Sequence, residues 1–239
     1  MADTEQQQQS NSEQTPLLGE PGDASQKSAP LYHNLIIGTG VVAQAGIWIL
    51  AAIVWGSVFS NDLSLFSAHP LLNSAALLFF VQGILILQPT HTAQQKKQGT
   101  YAHAALNNIA VLAAVAGLVV IEYNKFAHQG THFVSPHAIL GLVTYILVVL
   151  QALVGITQFF TPAIYGGVEN AKALYKYHRV GGYVTLLVML ATVCAATQTT
   201  FNVNVLGMQL WAVVVAAVVV VLGVGARVKI GKFGWIGGQ

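Results

Sequence analysis

Charge is what this sequence has least of. Asp, Glu, Lys and Arg together make up 8% of 239 residues, where soluble domains carry about 25%. A chain so poor in ionic groups lacks the polar surface to stay in water. Cysteine is nearly absent too. Cys194 is alone and lies in an apolar run, so disulfides and thiolate metal clusters are excluded and the residue reads as a small buried hydrophobe. The formal net charge of +2 is too small a basic excess for a nucleic-acid partner. No early apolar stretch resembles a secretory signal, so the N-terminus is expected not to be translocated.

What is present is hydrophobic: 54% of the residues. Residues 1–32 are the exception, a tail of Gln, Ser, Pro, Gly and acids with little to bury, and they are expected to be disordered. Within the tail, Glu13-Gln14-Thr15-Pro16-Leu17-Leu18 fits the acidic dileucine sorting pattern, which would send the protein to an endomembrane or the vacuolar membrane. Residues 33–230 form the membrane domain and 231–239 a short C-terminal tail. The domain holds six apolar segments, 35–58, 69–88, 101–121, 137–160, 179–198 and 206–226. Each is near the ~20 residues that cross a ~30 Å hydrocarbon core as a helix. The runs are continuous, with no carboxylate inside, whereas a barrel would need short alternating strands. The predicted fold class is an all-α membrane protein with six transmembrane helices.

Orientation follows from the cations. Six spans put both termini on one side with the loops around 89–100 and 159–178. That side carries Lys27, Lys96, Lys97, Lys172, Lys176, Arg179, Arg227, Lys229 and Lys232, leaving only Lys125 opposite. By the positive-inside rule this side, with both termini, is cytoplasmic.

Histidine stands out: eight residues, as many as Asp and Glu combined. Four of them, His69, His103, His137 and His178, sit at or near the starts of the second to fifth segments, separated by 34, 34 and 41 residues. Successive helices alternate in direction. His69 and His137 therefore lie near the non-cytoplasmic face, and His103 and His178 near the cytoplasmic one. One such histidine is most simply a side chain reaching the wet interface. Two per leaflet on four neighbouring helices is a functional arrangement, because ionisable groups in a membrane are costly.

Zinc normally takes four N, S or O ligands, and no carboxylate or thiol accompanies these pairs. An ion or proton carrier would place acids within the spans. Haem needs only axial ligands, and two histidines close both free positions on iron, which suits electron transfer over oxygen chemistry. Gly141, Gly155, Gly181 and Gly182 lie beside the pairs and would admit a flat macrocycle, although close helix packing explains them equally well. The competing reading is a non-enzymatic six-helix scaffold or transporter whose histidines are incidental.

Three stretches carry a resemblance. Ser64-Leu65-Phe66-Ser67-Ala68-His69-Pro70, His132-Phe133-Val134-Ser135-Pro136-His137 with Gly141, and Tyr175-Lys176-Tyr177-His178 with Gly181 resemble the cytochrome b561 family, in its short free-standing form of fungi and animals. The likeness spans roughly 35–226. It implies a four-helix core of helices 2–5 holding two b-type haems, flanked by helices 1 and 6. Helices 2 and 4 would share one haem, and 3 and 5 the other. It further implies a transmembrane oxidoreductase taking electrons from cytoplasmic ascorbate to monodehydroascorbate or ferric chelates on the far side; the oligomeric state is left open, with a homodimer among the options. Two departures concern the donor. Ala138-Ile139 follow His137 where many ascorbate-using members have serine and tryptophan, and the aliphatic-Tyr-Arg segment of those members has no counterpart.

An anionic donor needs cations beside the cytoplasmic haem edge. Lys97 and Lys172 each stand six residues before a histidine of that pair and are the candidates, with Lys96 and Lys176 as neighbours. On the other face, His132 matches a family histidine five residues before the helix-4 ligand and is the candidate for the acceptor; His128 has a weaker claim. No glycine-rich fingerprint follows a strand, so the reductant must come from outside the chain.

Overall fold

The structure is a computed structural model and describes residues 30–229. The dileucine pattern, most of the expected N-terminal tail and the C-terminal tail lie outside them. Among the described residues every regular element is helical. The six main helices are α1 (Gly40–Phe59), α2 (Ala68–Leu87), α3 (Ala93–Ala127), α4 (Pro136–Phe160), α5 (Tyr175–Ala196) and α6 (Leu210–Gly225). All six apolar segments are therefore helices. Five apolar helical stretches are long enough to cross a membrane, the fifth being Val168–Ala196, which includes a short helix ahead of α5. α6, with 16 residues, is the short one, rising ~24 Å at ~1.5 Å per residue.

The boundaries depart from the apolar runs where local chemistry overrides them. Helical structure already begins at Leu31, with a 3-10 turn over Leu31–Leu35, inside the stretch expected to be tail. α3 starts eight residues before its apolar run. Thr92 caps it by accepting from Gln95 N at 3.2 Å, while the Gln95 side chain accepts from Thr92 N at 3.3 Å. A polar turn thus prolongs an apolar helix into water. α4 opens where Ser135 accepts from Ala138 N, with Pro136 in the first turn, where its missing N–H costs nothing. Between α5 and α6, Asn202 acts as a clamp: its amide donates to Thr197 O and Met208 O and accepts from Met208 N.

The packing has a dense side and an open side. α1 and α6 run antiparallel through small residues. A Cβ on Gly46 would meet Val220 N at 2.7 Å and Ala216 O at 2.9 Å, so only glycine permits this approach. Ile47, Leu50, Leu77, Val81, Leu85, Leu190, Val213 and Val220 complete a core shared by α1, α2, α5 and α6. At one end of it, Arg227 is buried and donates to Asn34 O and Leu85 O, which brings the two ends of the described chain together. α2 packs closely on α3 and α4 on α5, but contacts between the two pairs are sparse. The outer faces of α3 and α4, with Leu112, Val119, Ile146, Leu150 and Leu153, are exposed and apolar, as lipid contact requires.

Candidate functional site

The four histidines meet in the seam between the α2/α3 and α4/α5 pairs. The His69 and His137 ring centroids are 6.2 Å apart with planes at 88°. Those of His103 and His178 are 6.3 Å apart at 83°. With metal–nitrogen bonds of ~2 Å, two imidazoles on opposite sides of one metal place their centroids about 6 Å apart. Along the bundle the two layers are well separated. His103 is level with Gly83, which lies 14 residues after His69 on α2, an axial distance of ~21 Å at ~1.5 Å per residue.

Three of the four rings are aimed by the backbone of the adjacent antiparallel helix. His69 Nδ1 lies 2.9 Å from Gly117 O, His103 Nδ1 2.8 Å from Gly83 O and His137 Nδ1 3.0 Å from Thr192 O. A carbonyl only accepts, so each of these Nδ1 atoms carries the proton and Nε2 keeps its lone pair, the tautomer suited to ligating a metal; that of His103 faces the Asn107 amide nitrogen at 2.9 Å. The acceptors follow a rule: Gly83, Gly117 and Thr192 each stand 14 residues after the histidine of their own helix. His178 is the exception. Its Nδ1 is buried without a hydrogen-bond partner among the described residues, and a Cβ added to Gly155 would lie 3.0 Å from its Cε1.

The positions one turn after the histidines divide the bundle in two. On α2 and α3 they are Asn73 and Asn107; on α4 and α5 they are Gly141 and Gly182. Asn73 donates to His69 O at 2.9 Å and accepts from the Tyr145 hydroxyl at 2.8 Å. Thr144 and Thr192 join hydroxyls at 3.0 Å beside the His137 contact. None of Asn73, Asn107, Tyr145 or Thr192 was singled out from the sequence. The regular offsets of four and 14 were the available signal, visible only once the histidines are used as origins.

The expected substrate residues are placed differently from one another. Lys97 is exposed on the first turns of α3, at the end where Asn34 and Arg227 meet. Lys172 is exposed in the short helix Val168–Ala173 and donates to Glu169 Oε1 at 2.7 Å, so an approaching anion would compete with a carboxylate. His132 is at the opposite end. Its Nδ1 is 3.3 Å from Glu122 Oε2, and its ring touches Phe126 and Phe133. His128 instead folds back onto Asn124 O.

A bare metal ion has no site of its own, because no three His, Cys, Asp or Glu side chains converge among the described residues. Opposed imidazole pairs in an apolar seam fit a group that brings its own equatorial ligands. Comparison with curated proteins finds no match. The sequence pattern described as eukaryotic cytochrome b561 matches residues 68–202, from the first residue of α2 to the turn after α5, and so covers all four histidines. The chain belongs to the cytochrome b561 family, whose members are membrane-bound oxidoreductases that bind haem b and transfer electrons across the bilayer.

Proposed function

We propose that this chain holds two haems b, one between His69 and His137 and one between His103 and His178, and that it carries electrons from cytoplasmic ascorbate to monodehydroascorbate or ferric chelates on the other side. The observation that carries the reading is the pair of facing rings at 6.2 and 6.3 Å, in layers at the two ends of one seam. When bound, each haem would supply a one-electron redox centre. The protein's part would be to hold each haem between two histidines and to keep His69, His103 and His137 in one tautomer through the carbonyls of Gly117, Gly83 and Thr192.

The same reading takes α6 as a sixth span despite its length. It lies antiparallel along α1, itself a 20-residue helix, and Arg227, just past its C-terminal end, joins Asn34. Both termini are then on the side rich in Lys and Arg, the cytoplasmic side. There Lys97 and Lys172 attract an anionic donor, Lys172 by exchanging Glu169 for it. At the far end His132, already against Glu122, is placed to give a proton to the reduced acceptor.

The test is spectroscopic and direct. Purified protein should be red, with two haems b per chain, and ascorbate should reduce it. His69→Ala and His137→Ala should remove or weaken the same haem, and His103→Ala and His178→Ala the other. A colourless wild type, or His69→Ala and His137→Ala acting on different haems, would overturn the reading.

A further inference from the structure

The two histidine layers are built on one plan, and they differ at one matched position. On α4, Tyr145 stands eight residues after His137; on α5 the residue eight after His178 is Leu186. Tyr145 reaches from α4 to α2, where its hydroxyl donates to Asn73 Oδ1 at 2.8 Å. Its ring rests on a wall of Ala76, Ala110 and Ala114, whose small side chains leave room for it. Leu186 has nothing to donate. In that layer Asn107 Oδ1 is buried with no hydrogen-bond partner among the described residues.

The hydroxyl adds a second hold to an amide whose NH2 end already donates to His69 O; Asn107 turns the same end to His103, 3.3 Å from Nδ1 and 2.9 Å from Nε2, with nothing holding its oxygen among the described residues. With Oδ1 held by Tyr145, the NH2 end of Asn73 is kept toward His69, 2.9 Å from its carbonyl and 3.3 Å from Nδ1. The positive end of a buried amide dipole therefore stands beside an imidazole that already gives its own Nδ1 proton to Gly117 O. If the amide turned over, its oxygen would accept from Nδ1–H and draw the ring toward imidazolate. That is the more basic ligand and favours the oxidised, more positive metal.

We propose that Tyr145 is a positioning residue that raises the reduction potential of the His69/His137 haem by locking the Asn73 amide, and that the His103/His178 layer lacks this device. The proposal rests on the ligand pairs given above. It makes the layer farther from the Lys- and Arg-rich end the easier to reduce, and so gives electrons arriving from that end a downhill direction.

Redox titration of the purified full chain, followed by optical spectra and by the low-temperature EPR signal of each oxidised haem, tests it. Tyr145→Phe removes one oxygen and leaves the packing. The expected result is a fall in the potential of one haem only, about threefold in its reduction equilibrium, which is ~30 mV for one electron. In an Asn73→Leu background the same Tyr145→Phe change should add no further shift, since the lever it acts on is gone. Should Asn73→Leu fail to bind haem, the single variant still decides, because its EPR signal must move for one haem and stay for the other. An unchanged potential, an equal shift of both haems, or a full shift persisting without Asn73 overturns the proposal. His69→Ala separates the two levels: if it leaves both haems in place, the ligand assignment has failed, not the tyrosine.

Discussion

The His69/His137 layer is held on every side, and the His103/His178 layer is not. In the first, both Nδ1 atoms have carbonyl acceptors, Asn73 is tied to Tyr145, and Thr144 is tied to Thr192. In the second, only His103 has its carbonyl; His178 Nδ1 and Asn107 Oδ1 are buried without partners among the described residues. Unmet polar groups in a low-dielectric seam are costly. The difference therefore shows where the bundle spends stability. The looser layer also lies at the end that carries Lys96, Lys97, Lys172 and Arg179, which the proposed function makes the donor side. The reading is that one layer is built for a fixed ligand field and the other for access.

The comparison breaks most sharply at Gly155. A Cβ added there would lie 3.0 Å from the His178 ring, so Gly155→Leu should displace the ring and empty the looser layer. Haem content should fall from about two to one per chain by this reading, with the His69/His137 signal retained; pyridine haemochrome assay and EPR measure both. Loss of both haems together would mean that the two layers are a single cooperative unit.

A middling effect is expected at the open end. Exchanging Lys97 and Lys172 for glutamate should slow reduction by ascorbate at low salt on the order of tenfold, within the range of electrostatic steering. Added salt should narrow the gap, because exposed charges are screened. Both haems should stay bound. Stopped-flow reduction at two ionic strengths checks this, and equal rates at low salt would leave the lysines with no role beyond orienting the chain. Lys172→Glu alone should have the smaller share, since Glu169 already neutralises that site.

The smallest effect is expected in the tight layer. Thr144→Val breaks the hydroxyl pair with Thr192 but leaves the carbonyl that His137 uses. Its cost should be ~0.6 kcal/mol, typical of side-chain hydrogen bonds within membranes. Thermal denaturation followed by haem absorbance should show a slight drop in stability with both spectra unchanged.

The helices were legible because in a bilayer length and apolarity suffice to define them, and the backbone must satisfy itself. Alternating helix direction turns sequence position into level along the bundle, and the histidines expected to share a level are those whose rings face each other. The family likeness read from the segments around His69, His137 and His178 agrees with the match over residues 68–202. Boundaries were less legible. The start of α3 lies at a capping box in a polar stretch, where hydropathy carries no signal. α6 came out shorter than its apolar run because Asn202 and Gly207 bend the chain first, the latter at φ 66°.

Rotation about each helix axis is what the sequence left open. These helices are apolar on nearly every side, so no polar stripe marks which face turns inward. Only packing in three dimensions aims His69 at Gly117 O, brings Tyr145 rather than Leu186 to an asparagine, sets His132 against Glu122 and commits Lys172 to Glu169. Residue types, spacing and topology determined which histidines pair and toward which end of the bundle each pair lies. The tertiary structure decided how firmly each layer is held, because a hydrogen bond depends on ångström distances between helices that share no local sequence.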